Sequence, residues 1–181
     1  MRGRWANLGG SLAVLAVVLG LSVGLPAVER ALPDDRAVPP KLRLTVGHDV
    51  SLVPPRGSVL DSAETFPNRG RMVLEVRGVR YALAVSTYQG TLRQALNRLR
   101  DRIDAQRGYQ LSGPTYQERT SDGVTGWAGR FTTSRRDGYF AVFVNTGRVV
   151  EIVAQGAGLG LDEELSLVRG SVATVRFGGA Q

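Results

Sequence analysis

The feature that most constrains this chain is an uncharged apolar segment that runs from Leu8 to Val28, close behind Arg2 and Arg4. A helix of about 20 residues spans the hydrocarbon core of a bilayer, and the segment is about that long. We therefore expect it to lie in membrane lipid as a single transmembrane helix. Because basic residues that flank such a helix stay in the cytoplasm, the N-terminus should be cytoplasmic and the following domain extracytoplasmic.

Two other interpretations of residues 1–28 stay open. A cleaved secretory signal has a basic start, an apolar stretch of about 7–15 residues and a cleavage site between small residues. Ser22-Val23-Gly24 supplies such a site, but no Ala-x-Ala occurs and the uncharged run continues to Val28. A buried helix of a soluble domain is the third interpretation, although so long a run without a polar face is typical of membrane segments. We predict an uncleaved signal anchor in the cell membrane.

Small residues recur every four positions in this segment, at Ala16, Gly20 and Gly24. Small residues at this spacing share one face of a helix and let two membrane helices approach closely. The pattern allows a homodimer through the membrane helix. The alternative is that glycine and alanine are simply frequent in membrane helices.

The composition limits the chemistry of the chain, which has 181 residues, no cysteine, one histidine and a formal charge of +7. Without cysteine there is no disulfide, no thiolate metal site and no lipid-modified N-terminal cysteine. One histidine leaves little scope for imidazole metal ligands, and we predict no metal and no cofactor. The positive charge favours anionic lipid headgroups, anionic wall polymers or an acidic protein as partner. No nucleic-acid recognition motif is present, so nucleic acid is not an expected partner.

Two stretches resemble sites of catalysis or ligand binding, and we interpret neither as one. His48 lies beside Asp49 and Ser51, but neighbours on a strand point to opposite faces, which favours a surface histidine near a turn. The glycines of residues 156–160 resemble a dinucleotide-binding turn, but Leu161 occupies the position of the third glycine. The acidic residues 162–164 would also repel a phosphate there, so we expect a connector and predict no catalytic residue.

Three regions follow from the pattern: the membrane segment and its N-terminal flank (1–28), a proline-rich linker (29–40) and a domain (41–178). In the domain we predict a first strand over Arg43–Val53, a loop over Arg56–Gly70, and a hairpin of residues 72–76 and 79–85 that turns at Arg77-Gly78. From Tyr109 an antiparallel meander should follow. Its glycine-containing turns are Asp122-Gly123, Asp137-Gly138 and Asn145-Thr146-Gly147.

Two helices are predicted from apolar residues that recur at helical spacing. The first covers Thr91–Arg107, with Thr91 as N-cap and Gly108 as its stop. The second covers Asp162–Arg176, with acidic residues at its start, where the helix dipole favours them. The fold class is therefore α+β: an N-terminal transmembrane helix followed by an antiparallel sheet with two helices packed on it, both expected on one face.

This order of elements resembles the PsbP-like α/β/α-sandwich domains found in small bacterial envelope proteins. The residues that carry the resemblance are Val50–Pro55 (VSLVPP), the hairpin around Gly78, the helix Leu92–Ile103 and the strand Gly126–Phe131 (GWAGRF). It covers about residues 42–177 and is a likeness of pattern. The resemblance implies a non-catalytic binding or accessory role, and it assigns no site residue.

Arginines of the first helix are the candidate site. They lie along both flanks of its apolar stripe and offer a contact for an anionic surface or an acidic partner; they are Arg93, Arg98, Arg100, Arg102 and Arg107. The alternative is a solvated face with local ion pairs. Aromatic residues of the meander (Trp127, Phe131, Tyr139, Phe140 and Phe143) form a second cluster, in which adjacent residues face opposite sides. Core packing is the default interpretation, and the alternative is that one of the two sets is exposed as a cleft or partner surface.

The expected function is that of a single-pass membrane-anchored envelope protein whose extracytoplasmic domain binds another protein. The alternative is a carrier of a lipid or small apolar molecule between sheet and helix. An enzyme is the least supported class, because no pair of acid–base groups can be nominated.

Overall fold

The computed structural model describes residues 36–157 and 160–178. The predicted membrane segment, including Ala16, Gly20 and Gly24, and residues 29–35 of the linker lie outside the described residues. Within the part that is described, no helix combines the length and the apolar character needed to cross a membrane.

The described residues form strands and two helices in an α+β arrangement. In chain order the strands are β1 (Arg36–Ala37), β2 (Leu44–Gly47), β3 (Val50–Leu52), β4 (Val59–Leu60), β5 (Arg71–Val76), β6 (Val79–Thr87), β7 (Tyr109–Arg119), β8 (Thr125–Thr133), β9 (Arg136–Asn145), β10 (Arg148–Ala157) and β11 (Arg176–Phe177). Helix α1 (Leu92–Asp104) follows β6, and helix α2 (Gly160–Ala173) follows β10.

Eight strands form one antiparallel sheet in the order β1-β4-β5-β6-β10-β9-β8-β7. A second sheet joins β2, β3 and β11, also antiparallel. The predicted antiparallel sheet with two helices is therefore confirmed.

The two helices pack on opposite faces of the large sheet. On β9, Tyr139 and Phe143 belong to the core that contains Val168 and Val172 of α2. The intervening Phe140 belongs to the core under α1. The expectation that both helices share one face is wrong. Side chains alternate along a strand, so a strand that is apolar at successive positions supplies a core to each face.

The first predicted strand, Arg43–Val53, is a hairpin of two short strands instead. Gly47, His48 and Asp49 have φ angles of 124°, 49° and 56°. Three successive residues with positive φ reverse the chain, as tight hairpins require. The predicted loop Arg56–Gly70 likewise contains the short strand β4 and a 3-10 turn at Pro67–Arg69.

Three of the four predicted hairpin turns are confirmed, and one lies elsewhere. Asp122-Gly123 lies in the connection between β7 and β8, where Gly123 has a φ angle of 83°. Arg77-Gly78 and Thr146-Gly147 form two-residue turns with positive φ angles. Asp137-Gly138, however, lies inside β9 and faces β8. The reversal occurs at residues 134–135, where the Thr133 hydroxyl accepts a hydrogen bond from the Arg136 amide at 2.9 Å.

Both helices end earlier than predicted. At the start of α1 the Thr91 hydroxyl accepts from the Gln94 amide at 3.3 Å, and the Gln94 side chain accepts from the Thr91 amide at 2.9 Å. This capping box confirms the predicted N-cap, but the helix ends at Asp104, before Arg107. Helix α2 ends at Ala173, because the chain turns there and Arg176 joins β11 beside β3.

Candidate functional site

Four of the five candidate arginines lie on the solvent side of α1 and its C-terminal extension. Arg93, Arg98, Arg100 and Arg107 are exposed, and Arg102 is only partly exposed. The Arg98 guanidinium lies 5.2 Å from the centroid of the Tyr88 ring, which fixes one flank of the helix.

Arg102 has a different role from the other four arginines. Its guanidinium forms an ion pair with the Glu151 carboxylate of β10, and their side chains are 17% and 10% exposed. Burial raises the pKa of Glu151, while the nearby Arg102 acts in the opposite direction. The contact joins α1 to the sheet, so Arg102 is a packing residue and not part of the exposed face.

The remaining α1 arginines keep their charge available to solvent. The side chains of Arg93, Arg100 and Arg107 form no ion pair with any residue between 36 and 157 or between 160 and 178. Asp101 and Asp104 are also exposed on this face. Helix α1 and its extension therefore present four cations against two anions.

A second charged group lies on the sheet face that also carries α1. It covers the part of that face formed by β5 and β6, whereas α1 packs on β7, β8 and β9. Arg71 and Arg80 both form ion pairs with Glu64, and Arg80 also approaches Asp61 at 3.5 Å. These side chains share a face with the buried Val73 and Ala82. The two arginines are paired with acids of the same domain, so the group covers the buried Val73 and Ala82 with compensated charges.

Sequence reasoning missed this charged group. On β5 the residues Arg71, Val73 and Glu75 alternate with Met72, Leu74 and Val76, and only the second set enters the core under α2. This period-2 pattern was the available signal. The partner Glu64 comes from the loop before β5, and no local pattern indicates where that loop lies.

The triad-like residues His48, Asp49 and Ser51 do not form a catalytic arrangement. The exposed Asp49 carboxylate accepts a hydrogen bond from Arg148 at 3.1 Å, and the Ser51 hydroxyl accepts from Arg43 at 3.3 Å. His48 occupies the left-handed turn and is exposed. In the described part of the chain, no group of three or more His, Cys, Asp or Glu residues is placed to hold a metal ion.

The glycine-rich connector joins β10 to α2, with residues 158 and 159 outside the described part. In the first turns of α2, the buried Glu164 carboxylate accepts from Arg77 at 3.0 Å. An acidic side chain thus lies near the helix start, which agrees with the interpretation of a connector and not of a phosphate site.

The aromatic cluster is core on both faces of the sheet. Tyr139 is fully buried under α2, and Phe140 is buried under α1. The default of core packing is confirmed, and the alternative of an exposed aromatic set is wrong, because each face of this part of the sheet carries a helix. Burial raises the pKa of Tyr139 and of Tyr81, so both phenols are neutral.

Comparison with solved structures identifies the fold. The chain is similar to cyanobacterial PsbP (CyanoP) from Synechocystis sp. PCC 6803, with 14% sequence identity and a TM-score of 0.51 over 87% of this chain and 99% of that chain. It is less similar to a Bacteroides thetaiotaomicron protein, with 9% identity and a TM-score of 0.44 over 74% of this chain and 47% of that one. No protein-family model matches the chain, and neither does a curated protein. The PsbP-like fold that the sequence predicts is confirmed, and at this level of identity the likeness concerns the fold alone.

Proposed function

We propose that this protein is a single-pass, membrane-anchored envelope protein whose extracytoplasmic domain is a non-catalytic protein-binding module. The observation that carries the binding role is the set of exposed arginines on α1, of which Arg93, Arg100 and Arg107 have no ion-pair partner among the described residues. Exposed cations without a local partner attract an acidic surface.

The non-catalytic part of the proposal rests on how the buried charges are used. Glu151 faces Arg102, and Glu164 faces Arg77. A general acid or base must reach a substrate, but these carboxylates are buried against the protein's own cations. The PsbP-like fold is compatible with such an accessory role.

The membrane anchor is proposed from the apolar segment Leu8–Val28 alone. Full-length protein should sediment with membranes and resist extraction by salt and by carbonate. The variant Leu15→Arg/Val18→Arg, which places two charges in the segment, should leave the membrane fraction, whereas Leu15→Val/Val18→Leu should remain in it. Full-length protein dispersed in a detergent-free lysate would refute the anchor.

The binding role is tested by crosslinking in intact cells and capture of the full-length protein in detergent. A specific protein should crosslink to the wild-type chain. Its yield should fall in Arg93→Gln/Arg98→Gln and stay unchanged in Arg56→Gln/Arg69→Gln, which removes two exposed arginines outside α1. Equal yields in both variants would refute the α1 surface. Stoichiometric lipid without a protein would instead favour the carrier.

A further inference from the structure

Strand β7 is the last strand of the eight-stranded sheet, and among the described residues no strand pairs with its outer edge. An edge strand presents unpaired backbone donors and acceptors that accept another strand. A bulge between Ser112 and Tyr116, with Gly113 at a φ angle of 71° followed by Pro114, divides this edge into two stretches. Each stretch has four residues: Tyr109–Ser112 and Tyr116–Arg119. The Tyr109 amide already donates to the Gln106 carbonyl at 3.1 Å, so the free outward amides of the first stretch lie among residues 110–112.

The two stretches differ in charge. Tyr116–Arg119 contains Glu118 and Arg119, and Glu118 pairs with Arg169 of α2 at 3.1 Å. Tyr109–Ser112 contains no charged residue. Natural edge strands are commonly protected by their own charges, and this stretch lacks that protection.

The uncharged stretch is held in place by its inward side chains. The ring of Tyr109 stacks on Phe131, with centroids 5.5 Å apart, and Leu111 packs against the same core under α1. Gln110 and Ser112 are exposed. This edge is already ordered by its inward side chains, so β7 loses little conformational entropy when another strand pairs with it.

Exposed arginines lie at one end of this stretch. Arg107 precedes it by two residues, and Tyr109 pairs with Thr133, which places the turn that carries Arg135 and Arg136 at the same end of β7. None of these three side chains forms an ion pair with another residue in the described ranges.

Helix α1 adds a fourth cation to this edge. Its residue Arg102 points to β10, on one side of the strands beneath the helix. At 100° per residue, Arg100 lies on the opposite flank, which faces β7. The acids of this region are the exposed Asp101 and Asp104 on α1 and the half-buried Asp137 on β9, against four exposed arginines, so positive charge prevails beside the uncharged edge.

We propose that the edge of β7 from Tyr109 to Ser112 binds an extended acidic segment of the partner protein as an additional strand. The backbone of the segment pairs with β7, and its acidic side chains face Arg100, Arg107 and Arg135. An anionic lipid headgroup could pair with the arginines, but it could not form the series of backbone hydrogen bonds that an edge strand offers. This favours a polypeptide as the ligand. This inference rests on the proposed protein-binding role and specifies its ligand.

The probe is an eight-residue peptide of alternating threonine and glutamate, added to full-length protein in neutral detergent. A peptide of alternating threonine and glutamine is its control. The acidic peptide should bind more tightly, and the outward amides among residues 110–112 should exchange hydrogen about tenfold or more slowly in its presence. Arg107→Gln/Arg135→Gln should weaken binding about five- to tenfold, as expected for two partly exposed ion pairs. Arg56→Gln/Arg69→Gln should bind as the wild type does.

Three results would overturn the inference. The first is binding without protection of the outward amides among residues 110–112, and the second is equal binding of both peptides. The third is a failure of the peptide while vesicles with anionic lipid bind through the same arginines. If the crosslinked protein partner is retained by Arg107→Gln/Arg135→Gln, the edge inference fails but the proposed function stands. The proposed function fails separately, when no protein crosslinks to the wild-type chain.

Discussion

Arg102 on α1 and Glu151 on β10 form an ion pair between the helix and the sheet, and it is the more buried partner, Glu151, that carries the negative charge. Removing the two partners therefore has unequal consequences. Loss of the arginine leaves a carboxylate buried without a counter-charge, whereas loss of the carboxylate leaves an arginine whose long side chain reaches solvent.

Arg102→Gln should lower the free energy of unfolding by about 2–3 kcal/mol, and Glu151→Gln should lower it by less than half as much. Urea unfolding at neutral pH measures both. Arg100→Gln, on the same helix but exposed, is the control and should change stability by less than about 0.5 kcal/mol. A cost for Arg102→Gln no larger than that of the control would contradict the packing role of this ion pair.

The raised pKa of Glu151 predicts how stability changes with pH. In the unfolded chain the Glu151 carboxyl has a pKa near 4.5. In the folded protein it stays protonated at pH values at which the unfolded chain has already lost this proton. Stability from this group is thus complete below about pH 4.5 and is lost as pH rises through the raised pKa. Glu151→Gln carries no such proton. Its stability relative to wild type should increase over that pH window in urea titrations, and a constant or opposite difference would refute the shift.

Gly138 is expected to tolerate no side chain, whereas Gly170 should accept one. A methyl group at Gly138 would lie 2.0 Å from the Phe131 ring, while nothing lies within 4 Å of one at Gly170. Gly138→Ala should therefore cost about 2–3 kcal/mol through overpacking. Gly170→Ala, in the exposed part of α2, should gain about 0.5–1 kcal/mol through helix propensity. Thermal unfolding reports both signs, and Phe131→Leu should partly rescue Gly138→Ala.

The capping box at the start of α1 predicts a fourth stability effect. Thr91→Ala removes the acceptor for the Gln94 amide and should cost about 1 kcal/mol. Thr91→Ser keeps the hydroxyl and should therefore keep most of this stability. Asn97→Ala, an exposed substitution inside the same helix, should stabilise slightly. Hydrogen exchange in the first turn of α1 should accelerate only in the alanine variant at position 91; faster exchange with Thr91→Ser would argue against the cap.

Local patterns in the sequence predicted most of the elements. The helical spacing of Leu92, Leu96, Leu99 and Ile103 indicated α1, and the glycine after Arg77 indicated the β5–β6 hairpin; both are confirmed. The prediction of a turn at Asp137-Gly138 is wrong. Gly138 lies inside β9, and its lack of a side chain leaves room for the Phe131 ring of the neighbouring strand β8. A glycine required by a cross-strand contact has the same sequence signature as a glycine required by a turn.

The sequence by itself determined the α+β class, the PsbP-like pattern and the arginine-rich character of α1, because hydrophobic period and turn chemistry act between near neighbours in the chain. Only the tertiary structure decided that the helices lie on opposite faces, that Arg102 turns inward to Glu151, and that an uncharged stretch of β7 ends the sheet beside exposed arginines. Each of these depends on contacts between residues distant in sequence. Such contacts are selected by the packing of the whole domain, and no local window of the chain records them.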